Sequence, residues 1–333
     1  MTEVARRGRV RLANWERVTH GVHVAAGRAD ERHDRLTGWQ LAMPSDACFT
    51  SVTGAEIRGW WLPALPSAVP VFAAASVASA RTRRSGLVVC RQAERTPYDV
   101  IHGLRVAGAS DVLLAAARDL SFLDLVVLTD AALHFGDCAM DDLVRAADRH
   151  RWGAPALRRV LPHVDGRAES AWESLLRMLC TTCAVPVDPQ YVVSDGGLFV
   201  ARADLRITDT NRLLEYDGEG HRRARQHSKD LVRDRRLLRL GWQRFGYTSE
   251  ILVGNALSVL RDADQALHRL HRPERIRAWH RLLAESSFTP AGRARLGARW
   301  GDPKPDPAGV VSGSDAAAGR ASAHRRRPRR RSA

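Results

Sequence analysis

The chain has 333 residues, enough for two domains at roughly 100–200 residues each, and its 44% hydrophobic content suffices to bury a core in both. No run of about 18 apolar residues occurs, and the opening Met1-Thr2-Glu3-Val4-Ala5-Arg6-Arg7 lacks the apolar stretch of a secretory leader. A cytoplasmic protein with no membrane partner is expected.

Lys and Arg number 52 against 37 Asp and Glu, a net charge of +15. Arg320, Arg325, Arg326, Arg327, Arg329, Arg330 and Arg331 crowd into the last fourteen residues, and without these seven the body still carries +8. That excess favours a polyanionic partner, because each neutralised phosphate releases counterions without demanding a fixed geometry. Lys229 and Lys304 are the only lysines, so the charge is almost all guanidinium. Five cysteines, an odd number thinly spread, fit a reducing compartment better than a disulfide framework. Cys180-Thr-Thr-Cys183 has zinc-knuckle spacing but no second ligand pair nearby, so both thiols are expected to be small apolar residues at a helix end.

In chain order, alternation from Leu12 to Val24 around Gly21 predicts a short hairpin, Ser51 to Trp61 a short helix broken at Gly59, and Gly86 to Cys90 a strand. The Pro/Ala/Ser-rich stretch from Leu62 to Ala80 has no clear period. Beyond Gly108 the pattern turns helical: Ser110-Asp111 caps a helix from Val112 to Leu120, Phe122 to Phe135 forms a second and Asp141 to His150 a third, before Gly153 and Pro155 interrupt. A linker at Pro162 to Arg167 separates a mixed, mainly helical domain over residues 1–162 from a second domain over 165–270. There the predicted order is a helix at Ser170 to Cys180, strands at Gln190 to Ser194, Leu198 to Ile207 and Arg212 to Tyr216, a helix at Ser228 to Leu240, a strand at Trp242 to Tyr247 and a helix at Ser249 to His268. Residues 271–300 form a helical extension, and 301–333 have the Gly, Pro, Asp, Ala, Ser and Arg composition of a disordered tail.

The residues that carry chemistry lie between Glu173 and Tyr247. Asp204 stands in an apolar strand, where a carboxylate is costly without a cation or hydrogen bonds. Glu215 and Asp217, two apart on the next strand, share a face, and Gly218 permits an immediate turn. Carboxylates gathered at one sheet edge repel one another, so a divalent ion such as Mg²⁺ or Mn²⁺ is a natural companion, and His221 at the mouth of the site would serve proton transfer.

Glu173, Asp204, the run Glu215-Tyr-Asp217-Gly-Glu-Gly-His221, Asp230-Leu-Val-Arg-Asp234-Arg-Arg-Leu and Gly241-Trp242 together resemble the restriction-endonuclease-like domain of very short patch repair (Vsr) type, in the PD-(D/E)XK superfamily, over about residues 165–268. The resemblance implies an α/β fold with an α-β-β-β-α-β core, metal held by Asp204 and Glu215, a contribution from Glu173, and catalysis by His221 on DNA. The superfamily's lysine, two after the acidic residue, is here Asp217, so water activation would fall to His221, Asp217 or a second ion. The N-terminal half, with Trp15-Glu-Arg-Val-Thr-His-Gly-Val-His23 and Thr53-Gly-Ala-Glu-Ile-Arg-Gly-Trp60, resembles AbiEi-type (type IV) antitoxin proteins but has almost no room for their winged helix.

Each assignment has a structural alternative. Ser170-Ala-Trp-Glu173 is also a capping box. Asp204 could pair with one of many arginines. Arg222, Arg223, Arg225, Arg233 and Arg236 could track phosphates or form a solvated face, and Trp172, Trp242 and Tyr247 suit core packing. Two functions follow: a Mg²⁺-dependent DNA endonuclease, or a non-catalytic nucleic-acid-binding regulator or antitoxin with a toxin or other protein partner at the N-terminal half. RNA remains open as the polyanion.

Overall fold

The computed structural model describes residues 4–8, 14–27, 30–218 and 224–301, with backbone alone over 224–231. The chain is a mixed α/β protein, with three sheets among the described residues. A small antiparallel sheet opens it: β1 (Ala5–Arg7), β2 (Trp15–Thr19) and β3 (Val22–Ala25), in the order β1-β3-β2. The expected hairpin is β2–β3, and Gly21 supplies the left-handed φ of +70° its tight turn requires. Helix α1 (Glu31–Ala42) starts at Asp30, whose side chain accepts the His33 amide at 3.0 Å, and packs Leu36, Trp39 and Ala42 inward.

The second sheet gathers β4 (Cys48–Phe49), β5 (Val71–Ser76), β6 (Leu87–Gln92), β7 (Tyr98–Ile101) and β8 (Leu104–Ala107) in the order β6-β5-β4-β8-β7, with α2 (Ser51–Ile57) between the first two strands. Strand β5 sits in the unperiodic stretch. Val71, Phe72, Ala73, Ala74 and Ala75 are all buried, so both faces are apolar and alternation is lost, as expected for a strand paired in parallel, here with β6. Among the described residues up to 162, eight strands accompany six helices, and helical residues outnumber strand residues, as expected of a mixed, mainly helical half.

Helices α3 (Ala109–Ala116), α4 (Phe122–His134), α5 (Met140–Ala147) and α6 (Ala154–Val160) follow. Two expectations need correction. The cap of α3 is Gly108, while Asp111 lies in the first turn and pairs with Arg149 and Arg151. Gly153 and Pro155 begin a helix rather than interrupt one: proline costs nothing in a first turn, where its missing N–H would have no partner, and Gly153 both takes a left-handed φ of +93° and stands where a Cβ would strike the Leu114 carbonyl.

The third sheet belongs to the predicted helix and strand series: α7 (Ala171–Thr182), β9 (Val187–Asp195), β10 (Leu198–Ile207), β11 (Arg212–Tyr216), α8 (Ala224–Arg239) and β12 (Gln243–Tyr247). Its order is β12-β11-β10-β9; β9, β10 and β11 are antiparallel neighbours, and β12 returns parallel to β11 after the α8 crossover. The single closing helix expected is two, α9 (Ser249–Gly254) and α10 (Ala256–Ala266), broken at Asn255 with φ −140°. A 3-10 turn at Pro273–Arg275 leads to α11 (Ile276–Glu285) and α12 (Pro290–Trp300). The expected tail lies, beyond Gly301, outside the described residues.

One hydrophobic cluster reaches from Val18 to Leu296. Buried polar ties cross it: Arg177 of α7 donates to Asp130 of α4 at 2.7 Å, and Asp124 accepts the Ser286 hydroxyl at 2.6 Å. Among the described residues, no helix is long and apolar enough to cross a membrane.

Candidate functional site

The β10–β11 ladder registers Leu205 with Leu214 and Arg206 with Leu213. At the next step the pairing changes: the Tyr216 amide donates to the Asp204 carboxylate at 2.7 Å instead of to a strand carbonyl. A charged side chain therefore takes a place normally held by backbone, at the junction of two strands. Burial pushes Asp204 up to about 7, the carboxylates of Glu173 and Glu215 add to the rise, and the Tyr216 amide only partly opposes them.

Glu173 reaches this junction from the first turn of α7. Its Oε1 accepts the Ser170 hydroxyl at 2.9 Å, its Oε2 accepts the Glu169 amide at 2.8 Å, and the Glu173 amide donates to Ser170 Oγ at 3.2 Å. The cap and the acidic group near Asp204 are thus the same residue. Its carboxyl is raised, mainly by burial. Gln190 of β9 also donates to Glu173 Oε2, at 3.0 Å, and holds a left-handed φ of +53°. A non-glycine residue in that region costs on the order of 1 kcal/mol, so strain is stored beside the acidic group.

Glu215 and Asp217 share a face, as their spacing predicts. One guanidinium spans them: Arg244 Nε donates to Glu215 Oε2 at 2.6 Å and its Nη2 to Asp217 Oδ1 at 2.8 Å. Arg233 of α8 adds a bond to the same Glu215 Oε2 at 3.1 Å. The other oxygen, Glu215 Oε1, is buried with no hydrogen-bond partner among the described residues. Asp217 lies against β12, where its own amide donates to the Tyr247 carbonyl at 2.9 Å and its Oδ2 would be 1.7 Å from a Cβ on Gly246. Only glycine leaves that carboxylate room.

The structure therefore brings Glu173, Asp204, Glu215 and Asp217 to one end of the sheet. His221, Arg222 and Arg223 lie outside the described residues, as does the side chain of Arg225. Arg233 faces Glu215, and Arg236 faces Asp195 at 3.6 Å. Trp172 stacks on Tyr216 with ring centroids 5.5 Å apart, and Tyr247 is buried, matching their expected packing roles. Cys180 and Cys183 are buried, and burial pushes their thiols up to about 12 and about 11.

Sequence reasoning missed Arg244, Gly246 and Gln190. The first two could have been found by counting the alternation in Gln243-Arg-Phe-Gly-Tyr247 against a parallel partner; Gln190 carries no local signal, since its role depends on a helix seventeen residues earlier in the chain.

Among the described residues, no group of three or more His, Cys, Asp or Glu is arranged to hold a metal ion. Two observations nevertheless fit a hard divalent cation: a buried carboxylate oxygen on Glu215 without a partner among the described residues, and an Asp204 whose ionisation its acidic neighbours oppose.

Two uncharacterized proteins of Mycobacterium tuberculosis, from strains CDC 1551 / Oshkosh and ATCC 25618 / H37Rv, are each 34% identical to this chain over 130 residues, 38% of this chain and 48% of the relative. The chain spans about half the length of these curated relatives. No family model and no solved structure matches.

Proposed function

We propose that the protein is a divalent-metal-dependent nuclease that hydrolyses phosphodiester bonds in DNA, on a restriction-endonuclease-like core formed by α7, β9, β10, β11, α8 and β12. The observation that supports this reading is the junction of β10 and β11, where Asp204 accepts the Tyr216 amide at 2.7 Å and its ionisation is opposed by burial and by the carboxylates of Glu173 and Glu215. Asp204 and Glu215 would hold Mg²⁺ or Mn²⁺, which when bound stabilises charge on the phosphate and acidifies water. Glu173, fixed by Ser170, Glu169 and Gln190, orients the acidic group. Arg244 supplies a fixed cation one strand away from the missing lysine. It neutralises Glu215 and Asp217 and cannot act as a base, because a guanidinium stays protonated. Proton transfer is left to His221 or Asp217.

The test is cleavage of supercoiled, linear and mismatched DNA with Mg²⁺ or Mn²⁺ beside an EDTA control. Divalent-dependent cleavage is expected, falling on the order of a hundredfold or more in Asp204→Ala and His221→Ala. Variants that cut as well as the parent would sink the assignment.

A second reading draws on the two arginines that hold Glu215 Oε2. With that carboxylate already neutralised, the fold would serve as a non-catalytic nucleic-acid-binding regulator or antitoxin, with a protein partner at the N-terminal half. Salt-sensitive DNA or RNA binding that persists in EDTA, with no cleavage under any divalent ion, is its signature.

A further inference from the structure

Strand β11 begins with Arg212, and the parallel register sets it beside Gln243 of β12. Gln243 and Phe245, two apart on a strand, share a face, and the Arg212 side chain meets both. Its Nη2 donates to Gln243 Oε1 at 2.7 Å, and its guanidinium carbon stands 3.9 Å from the centre of the Phe245 ring. Helix α10 lies against the group, where Nη1 reaches the Asp262 carbonyl only at 3.5 Å. Arg212 is left 5% exposed.

These partners fall short of what a buried guanidinium needs. Its Nε is buried with no hydrogen-bond partner among the described residues. Nor does any carboxylate among them pair with it, since Asp262 turns its own to the Tyr247 hydroxyl at 2.9 Å. Arg58 and Arg177, whose side chains are as deeply buried, each hold a carboxylate, at 2.5 and 2.7 Å. A stacked ring and a neutral amide offset only part of the cost of taking a charge out of water.

Arg212 lines an open cavity of about 490 Å³ that crosses the β12 edge between α8 and α10. Leu237, Trp242 and Phe245 give the cavity apolar walls, and Gln265 of α10 is exposed on its rim. Two further charges border it, and both are already committed: Arg244 holds Glu215 and Asp217, and Asp234 faces Arg244 at 3.9 Å. The uncommitted charge is Arg212.

We propose that this cavity binds a small organic anion, a carboxylate or phosphate monoester on an apolar body, with Arg212 taking its charge. An oxyanion lodged against Arg212 supplies the counter-charge that the chain withholds, and the walls receive the apolar part. Burial selects the size of the ligand. A duplex carries its phosphates on an outer surface and cannot bring them to a guanidinium recessed behind a ring, whereas a cavity of this volume is ordinary for a small molecule. The site uses neither Asp204 nor Glu173 and stands apart from the nuclease reading.

The experiment is isothermal titration calorimetry, with parallel thermal melts, of the full chain with phenyl phosphate, with benzoate and with benzyl alcohol as the neutral counterpart. Fixed ionic strength and EDTA keep general screening and any metal at the carboxylates out of the result. One saturable site is expected for phenyl phosphate or benzoate, with a rise in Tm, and none for benzyl alcohol; the tighter anion tells phosphate from carboxylate chemistry. Arg212→Met keeps the hydrocarbon and drops the charge, so the Kd should rise roughly tenfold or more while Tm in anion-free buffer does not fall. Should that variant fold poorly, Gln265→Glu is read instead: it places a carboxylate on the exposed rim, truncates nothing, and should weaken the anion severalfold or more. Absence of saturable binding by either anion, parental affinity in both variants, equal binding of benzyl alcohol, or displacement of the bound anion by a short DNA duplex would each overturn the proposal. None of these outcomes bears on cleavage, which the Asp204→Ala variant tests separately.

Discussion

The two larger sheets of this protein treat buried charge in opposite ways. Around the five-stranded sheet three buried acids are each matched: Asp111 meets Arg149 and Arg151, Asp124 accepts from Ser286 and the Ser287 amide, and Asp130 pairs with Arg177 while accepting the Asp165 amide at 2.7 Å. At the β10–β11 junction of the four-stranded sheet, Glu173, Asp204 and Glu215 stand together, Asp204 is raised to about 7, and one oxygen of Glu215 has no partner among the described residues. Satisfied acids hold the fold together. Where carboxylates oppose one another's ionisation, a bound cation would gain the most.

The comparison breaks most visibly at Arg177. Truncation to alanine strands the Asp130 carboxylate, whose pKa burial already raises, with no cation, and is expected to cost about 3–5 kcal/mol in urea denaturation. A loss within ordinary surface values would mean that Asp130 is not held as the geometry indicates.

Asp204→Asn should do the reverse. In the metal-free protein the folded-state pKa of about 7 lies above the ordinary 3.8, so folding favours the protonated form. Stability is then full below about pH 4 and declines as pH rises through 7. The asparagine variant removes that decline, gaining up to about 4 kcal/mol at pH 8 before solvent screening reduces it. Urea melts in EDTA at pH 4 and pH 8 measure it. Identical pH dependence in parent and variant would show that Asp204 carries no unusual charge cost. A variant that is steadier at pH 8 and inactive would tie the instability to function.

Gly246→Ala probes the boundary between the two behaviours. A Cβ 1.7 Å from Asp217 Oδ2 must displace that carboxylate from Arg244, at an expected cost of about 1–3 kcal/mol and with a slower cleavage rate. Unchanged stability together with unchanged cleavage would show that Asp217 moves aside freely and has no part in the site.

Much of the four-stranded unit was legible from its amino acids. Ser170 before Ala-Trp-Glu, the Asp195-Gly-Gly197 turn and Gly241 are local signals that bound each element, and the strand Arg212–Tyr216 falls where its apolar run predicts. The carboxylates were legible too, because an acid inside an apolar run is costly wherever the chain goes. Strand β5 was not, since burial on both faces erases the alternation on which strand reading depends. Asn255 likewise broke a helical period that looked continuous, because a helix end is decided by what the next turn packs against.

By itself, the sequence determined the segments, the basic excess and which residue types could carry chemistry, because propensity, pattern and charge act over a few neighbouring positions. Only the tertiary structure decided their company. Arg244 came to Glu215 and Asp217 through the parallel return of β12, Gln190 to Glu173 through the antiparallel β9, and the Tyr216 amide to Asp204 through a change in pairing at the β10–β11 junction. These contacts join positions 12 to 29 residues apart and are set by strand order and register. No local rule fixes either one, since both are chosen by the free energy of the whole core.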